Sequence, residues 1–242
     1  MAYTINAGTT YYKEINEAVR KSGEQEIVID NCIGQRYIGC SQSGCKITVN
    51  GTPGNALGAY LNGATLVIHG NAQDATGDTM NDGAIIIDGS SGDATGYAMR
   101  GGAIYVRGDV GYRAGIHMKA YKEKLPVLVV GGKAGSFLGE YQAGGKIVVL
   151  GLGCEDEVPV GDFCGTGMHG GKMYLRAKKA PRDLPPQVVV TEATHEDMAE
   201  IMPYIDSYCR YFGVEHTEIL PHKFYVLTPD TKNPYKQLYV NN

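Results

Sequence analysis

Two aspartates, Asp74 and Asp93, lie nineteen residues apart in matching local sequences and are well placed to do chemistry. Two carboxylates one repeat apart can serve as acid and base, as they do in the hydrolysis of polysaccharides. A polysaccharide lyase would instead need a groove of Asp with Lys or Arg along one strand face, but the strand ends offer a mixed set: Asn50, His69, Asp88 and Arg107. Because a short polar side chain at a turn also accepts backbone N–H groups, the sequence favours that structural role.

Cysteine and histidine are the usual ligands of zinc and iron–sulfur clusters, and the chain has six of each. No CxxC pair occurs, and the gaps between Cys32, Cys40 and Cys45 fit no common ligand pattern. The histidines are scattered and are expected at the surface or in hydrogen bonds. The cysteines are expected to be reduced thiols in the interior, with Cys45 at a small inward position shared with Ala64, Ala84 and Ala103. The remaining members are Cys154, Cys164, Cys209, His69, His117, His169, His195, His216 and His222.

Residues 165–170 read GTGMHG and satisfy the GxGxxG pattern of dinucleotide-binding proteins. That fingerprint requires a helix after the glycines, whereas Lys172 to Arg176 has the pattern of a strand. Gly171-Lys172 also fails as a phosphate-binding loop, because Thr166 stands where the first glycine belongs. We therefore expect a buried turn here, and the sequence assigns no catalytic, cofactor-binding or metal-binding residue to this chain.

The elements that position these residues repeat every nineteen residues between Gly39 and Met118. A residue followed by glycine marks each repeat: Ile38-Gly39, Leu57-Gly58, Thr76-Gly77, Thr95-Gly96 and Ala114-Gly115. Three residues later comes the position held by Gln42, Leu61, Met80, Met99 and Met118. A short aliphatic run follows, at Lys46 to Asn50, Thr65 to His69, Ala84 to Asp88 and Ala103 to Arg107. Self-similarity at a fixed short period indicates one unit stacked on copies of itself.

The runs alternate as strands do, and nineteen residues leave no room for a helix between the glycine-marked corners. A leucine-rich repeat is excluded because its asparagine or cysteine position is missing. A hexapeptide helix is excluded because nineteen is not divisible by six. The sequence therefore predicts an all-β solenoid, a parallel β-helix of about seven coils, in which Leu61, Met80, Met99 and Met118 form an inward ladder.

Two insertions interrupt the repeat, since the register glycines after Gly115 come at Gly139 and Gly165. The first insertion, around residues 120–125, is rich in lysine and precedes a strand at Pro126 to Val130. The second, residues 152–162, carries Glu155, Asp156 and Glu157 after a strand at Lys146 to Leu150. Insertions in a solenoid often mark the face that it uses, and solvated loops are the alternative interpretation.

The chain is predicted to divide into three parts: residues 1–24, 25–177 and 178–242. The first is an N-terminal cap, with a helix over residues 11–22 that Thr10 caps and Gly23 ends. The second is the β-helix. The third has a proline-rich linker, a helix that begins at a Thr194 and Asp197 capping box and ends at Gly213, and a tail rich in Lys, Tyr and Asn. This helix is expected to dock on the stack or on a partner.

The amino-acid composition indicates which kinds of partner and which cellular location to expect. The formal net charge of −4 over 242 residues offers no basic excess for nucleic acid. No apolar run approaches eighteen residues, and the first residues have no basic and apolar leader, so no membrane partner and a cytoplasmic protein are expected. The 17 tyrosines, with 4 phenylalanines and no tryptophan, suggest tyrosine on surfaces that meet partners.

Several motifs resemble the C-terminal domain of the glutamate synthase large subunit. They are residues 54–61 (GNALGAYL), residues 70–77 (GNAQDATG), the double glycines Gly101-Gly102 and Gly170-Gly171, and residues 222–230 (HKFYVLTPD), which resemble the end of that subunit. The motif order and register match over roughly residues 27–177. Asn31 and Arg36 with Gly39 loosely resemble the entry motif of that domain, with an altered spacing.

This resemblance implies a right-handed β-helix without catalytic residues that holds the other parts of a glutamate synthase in place. As a separate subunit, it would have a glutamine amidotransferase subunit, an FMN-binding and iron–sulfur synthase subunit and an electron-donor subunit as partners. FMN and the iron–sulfur cluster are then expected in those partners and no cofactor in this chain. Similar repeats occur in the C subunit of formylmethanofuran dehydrogenase and in the third subunit of N-methylglutamate synthase, which remain alternatives.

Overall fold

The computed structural model describes residues 2–230, and these residues form a mostly-sheet protein. One sheet contains 11 strands, in the order β1 to β9 followed by β11 and then β10. The strands are β1 (Tyr3–Asn6), β2 (Glu26–Ile33), β3 (Lys46–Thr52), β4 (Asn62–His69), β5 (Asp82–Ile87), β6 (Ala103–Val106), β7 (Val127–Val130), β8 (Ala143–Val149), β9 (Gly170–Arg176), β10 (Val188–Glu192) and β11 (Phe224–Pro229). The helices are α1 (Tyr12–Ser22), α2 (His195–Phe212) and α3 (His216–Ile219).

Strands β1 to β8 each pair in parallel with the next strand along the chain, so β1 to β9 form a parallel series. Ile47 pairs with Leu66, which pairs with Ile85, and Ile85 pairs with Ile104, so the step between partners is the nineteen-residue period. The prediction of a sheet-rich fold built from in-register repeats is confirmed at this level. Every aliphatic run that the sequence marks coincides with a strand, except that four terminal residues lie just outside their strands: Asp88, Arg107, Pro126 and Leu150.

The predicted inward ladder is buried, because Leu61, Met80, Met99 and Met118 have no exposed surface. The residue after each ladder member donates its backbone N–H to the ladder member of the preceding repeat: Arg100 N donates to Met80 O at 2.8 Å, and Lys119 N donates to Met99 O at 2.9 Å. The buried Gln142 and Met168 extend the ladder beyond the residues named from the sequence, since Ala143 N donates to Met118 O and His169 N to Gln142 O.

The sheet is buried on both faces where α2 covers it. Alternate residues such as Ile85 and Ile104 lie in the main core, while Ile86 and Val129 pack in a second core against Ile205 and other residues of α2. Strands buried on both faces read as nearly continuous apolar runs, which explains sequences such as Val127–Val130. The α2 helix therefore docks on the stack. Its predicted capping box at Thr194 and Asp197 and its end at Gly213 are confirmed.

The N-terminal helix differs from the prediction at its start. It ends at Gly23 as expected, but it begins at Tyr12, with Tyr11 as the N-cap and no side-chain cap bond. The prediction that Thr10 caps it is wrong, because Tyr11 has the extended backbone of the capping residue and so Thr10 lies outside the helix. Strand β1, which precedes the helix and pairs with β2, was not predicted.

At the other end of the sheet the strand direction reverses. β11 pairs antiparallel with β9, and β10 pairs antiparallel with β11, so the sheet continues from the repeats into the C-terminal part of the chain. The tail rich in Lys, Tyr and Asn, residues 231–242, lies outside the described residues, as does Met1.

Candidate functional site

Asp74 and Asp93 bind the backbone of the following repeat. Asp74 Oδ1 accepts a hydrogen bond from Asp93 N at 2.9 Å, and Asp93 Oδ1 accepts one from Tyr112 N at 2.7 Å. A Cβ atom at Gly111 would lie 2.1 Å from Asp93 Oδ1, so only glycine leaves room for this contact. A second column of the same turns makes the same kind of contact: Asp109, which follows Asn71 and Ser90 in that column, accepts at Oδ1 from Lys133 N at 2.7 Å. These carboxylates have the structural role that the sequence favours.

The cysteines are unbridged, and four of the six, Cys32, Cys154, Cys164 and Cys209, are buried. Complete burial raises the pKa of the Cys164 thiol to about 12. The predicted alignment of Cys45 is partly wrong. Cys45 is only half-buried, and Ala84 and Ala103 align with Thr65 rather than with Ala64, because the regular nineteen-residue step joins Thr65 to Ala84 and Ala84 to Ala103.

Residues 2–230 contain no group of three or more His, Cys, Asp or Glu side chains that could hold a metal ion. The GxGxxG segment leads directly into β9, with Gly165 and Gly167 at positive φ. A strand therefore follows the glycines where a dinucleotide site requires a helix, as the sequence predicts.

The first insertion folds back over earlier repeats. Tyr121 and Lys124 exchange two backbone hydrogen bonds of 3.0 Å and so close a tight loop. The Lys124 ammonium lies 2.6 Å from Asp82 Oδ2, and this contact lowers the pKa of Asp82. Lys124 also covers Gly101, where a Cβ atom would meet the lysine side chain at 3.1 Å. The loop is thus fixed against the repeats of β5 and β6.

A pocket of about 460 Å³ opens beneath this loop, and we call it the loop pocket. Its floor comes from four successive repeats, and Tyr121 and Lys124 of the loop complete the wall. The floor residues are Ser41, Tyr60, Asn62, Asn81 and Arg100. Asn62, Asn81 and Arg100 follow directly after the ladder residues Leu61, Met80 and Met99, so the repeat brings them into one column.

A second surface is lined by aromatic side chains of the glycine turns, and we call it the aromatic turn face. The Phe137 ring lies 5.3 Å from Tyr112 and 4.8 Å from Phe163, and the His117 ring stacks on Tyr141 at 5.2 Å. The Tyr112, Tyr141 and Phe163 rings remain exposed. Exposed apolar surface of this kind is typical of protein interfaces.

The acidic residues of the second insertion are engaged in ion pairs. Lys178 lies 2.6 Å from Asp156, and Lys133 pairs with Glu157. The buried Arg176 lies 4.0 Å from Glu155 and donates to Leu150 O and Glu218 O, each at 2.8 Å. This loop is therefore tied to β9 and to the segment that carries α3.

Sequence reasoning missed the loop pocket. The lysine-rich insertion and the Asn62, Asn81 and Arg100 column are both visible in the sequence, but nothing there shows that the loop folds back over the column. The aromatic turn face agrees in kind with the expectation of tyrosine on surfaces.

These features define a class of protein in which glycine turns stack parallel strands into a long sheet. The chain belongs to the GXGXG motif family, whose pattern matches residues 4–230. No helix among residues 2–230 has both the length and the apolar composition needed to cross a membrane.

Two known proteins are similar over most of the chain. Uncharacterized protein MJ1350 of Methanocaldococcus jannaschii is 43% identical over 248 residues, which cover 97% of this chain and 95% of that protein. A chain of the formyltransferase/hydrolase complex FhcABCD from Methylorubrum extorquens, crystallised with methylofuran, has a TM-score of 0.61 and 25% identity. The likeness covers 79% of this chain and 68% of that chain. The structural relative thus belongs to a complex of several subunits.

Proposed function

We propose that this protein is a non-catalytic structural subunit of a split glutamate synthase. In this role it holds the glutamine amidotransferase subunit and the FMN and iron–sulfur synthase subunit together, for glutamate formation from glutamine and 2-oxoglutarate. An electron-donor subunit completes the complex. The observation that carries the proposal is membership of the GXGXG motif family over residues 4–230, together with the specific likeness of residues 54–61 and 222–230 to the glutamate synthase large subunit.

The architecture suits such a role. Nine parallel strands are hydrogen bonded to their neighbours, which makes a stiff body, and a stiff body can hold two catalytic subunits at a fixed separation. Carboxylates that an enzyme would use, such as Asp74 and Asp93, are occupied in joining repeats. The aromatic turn face offers exposed rings for a partner.

The alternative is a corresponding subunit of formylmethanofuran dehydrogenase or N-methylglutamate synthase. The observation that favours the first of these is the 25% identity and TM-score of 0.61 to a chain of FhcABCD. Both proposals describe this chain as a structural subunit of a larger assembly, and they differ in the reaction that the partner subunits catalyse.

We also propose that the repeats close into a right-handed parallel β-helix of about seven turns. A second series of parallel bridges, from Ala72 to Ser91, Val110, Ala134 and Val160, runs beside the main sheet and supports this closure. The division into a cap at residues 1–24, a β-helix at 25–177 and a C-terminal part at 178–242 belongs to the same proposal.

The native complex distinguishes these functions. Affinity-tagged protein is purified from its own cells, and the accompanying chains and cofactors are identified by mass spectrometry, by flavin fluorescence and by metal analysis. Glutamate synthase predicts an amidotransferase chain and bound FMN. A partner with molybdenum or tungsten in place of FMN would establish the formylmethanofuran dehydrogenase alternative, and isolation of the chain without any partner would contradict both.

A further inference from the structure

The loop pocket is lined by hydrogen-bond donors that have no partner among residues 2–230. The hydroxyl groups of Tyr60 and Tyr121 and the amides of Asn62 and Asn81 make no side-chain hydrogen bond within this part of the chain. They surround about 460 Å³, a size within the usual range of small-molecule sites. The wall is more polar than most such sites, so the pocket suits a ligand with several polar groups.

Arg100 gives the pocket its charge. Within the described residues its guanidinium has no ion pair and no hydrogen bond. The next two arginines along the chain are engaged: Arg107 of the same repeat lies 2.7 Å from Asp88, and Arg113 lies 2.9 Å from Glu140. A guanidinium carries five N–H donors in a planar fork that matches a carboxylate or a phosphate. Arg100 therefore presents an unused anion-binding group to the pocket.

Lys124 adds donors without adding net charge. Its ammonium is balanced by Asp82 at 2.6 Å, and an ammonium has three N–H donors, of which this contact occupies one. The charges at the pocket, from Arg100, Lys124 and Asp82, thus leave one positive charge unbalanced. A ligand with a single anionic group and neutral hydroxyl or amide groups matches both the charge and the wall.

We propose that the loop pocket binds a small polar molecule that bears one carboxylate or phosphate group, with Arg100 as the anion-binding residue and Tyr60, Tyr121, Asn62 and Asn81 as hydrogen-bonding residues. A single acidic side chain of a partner subunit would fill only a part of the volume, so the pocket favours a free molecule. This inference does not depend on which complex the chain belongs to.

The test is isothermal titration calorimetry of the purified chain with three probes of similar size: gluconate, glucose 6-phosphate and uncharged glucose. We expect an anionic probe to bind and glucose to bind at least ~10-fold more weakly, because a hydrogen-bonded ion pair is lost. Comparison of gluconate with glucose 6-phosphate identifies whether a carboxylate or a phosphate is preferred. Arg100→Gln should weaken the anionic probe by ~10-fold or more.

Arg107→Gln is the matched control, since it removes the same charge from the same repeat outside the pocket. It should leave probe binding unchanged. The inference is overturned if neither anionic probe binds, or if Arg100→Gln binds as well as the unaltered chain does. If no probe binds while Arg100→Gln releases a subunit from the native complex, the pocket holds an acidic side chain of a partner and the small-molecule proposal is wrong.

Discussion

The carboxylates in the glycine turns could serve as catalytic acids by residue type, but they have a structural role. They belong to Asp74, Asp93 and Asp109. Each carboxylate accepts a backbone N–H from the next repeat, and a glycine such as Gly111 leaves space for it. The same residue at the end of the series behaves differently. Asp162 donates its own backbone N–H to Ser136 Oγ at 3.1 Å, but within residues 2–230 no backbone N–H of a further repeat donates to the Asp162 carboxylate. Residue type and spacing alone do not separate a catalytic pair from a structural series.

The first prediction concerns Asp93. Asp93→Ala removes the acceptor of Tyr112 N and should lower the free energy of unfolding by about 1 kcal/mol, the usual net value of one hydrogen bond. Asp162→Ala is the control and should change stability by less than ~0.5 kcal/mol, as exposed substitutions do. Urea unfolding followed by circular dichroism measures both. Equal effects of the two substitutions would show that the Asp93 contact contributes nothing.

The second prediction concerns alkaline pH. Burial raises the pKa of Cys164 from 9.0 to about 12 and also raises the pKa of Tyr174 and of Tyr208 above the ordinary value of 10.0. Above pH 9 the unfolded chain ionises these groups while the folded chain keeps them neutral, so stability should fall as the pH rises. Unfolding midpoints measured from pH 7 to pH 11 test this, and a flat profile would contradict it.

Thiol labelling gives an independent measurement of the burial of Cys164. The half-buried Cys40 should react with a maleimide in the folded chain, whereas Cys164 should react only after denaturant is added. Mass spectrometry of the labelled peptides identifies the order, and early labelling of Cys164 would show that its burial is incomplete.

At the scale of the element, the ladder of Leu61, Met80, Met99 and Met118 holds successive repeats together. Met99→Asp places an unpaired charge between Met80 and Met118 and should cost about 4 kcal/mol or more. Met99→Leu keeps the apolar volume and should cost less than ~1.5 kcal/mol. Thermal unfolding compares the two variants. A similar midpoint for both would mean that Met99 is not enclosed in the ladder.

Local features made most of the elements predictable. Apolar runs bounded by glycine gave β3 to β9, and a capping box with an apolar stripe gave α2. Strand β1 was missed because it has four residues and three of them are exposed, so it shows no alternation. The alignment of Cys45 with Ala84 and Ala103 failed because it departed by one residue from the nineteen-residue period, which pairs these alanines with Thr65.

Long-range features were not predictable in the same way. The place of β11 between β9 and β10 depends on residues distant in sequence, and so does the loop pocket. Its column of Asn62, Asn81 and Arg100 follows from the period, but the direction of the first insertion depends on the Lys124 contact with Asp82. A charge pair between an insertion and an earlier repeat leaves no periodic signal.

At the scale of the whole molecule, the C-terminal part is needed because α2 covers the apolar outer face of the sheet. A chain that ends after Ala177 loses α2 and exposes Ile86, Val129 and Val148, which are buried in the complete protein. We expect this chain to aggregate or to unfold at a much lower temperature. A chain that ends after Asp230 keeps every described contact and is the control. Light scattering and thermal unfolding measure both, and a stable, monomeric shorter chain would contradict the expectation.

The reversal of strand direction at β11 has a consequence for size. β11 occupies the edge of β9 to which another parallel repeat would add, and β10 occupies the other edge of β11, so the parallel series stops after β9. From β1 to β9 there are eight steps of ~4.8 Å, which set a span of ~38 Å. The number of repeats therefore sets the distance between the two ends of the sheet. Adding or removing one nineteen-residue repeat would change the separation of two subunits bound at these ends by one strand spacing.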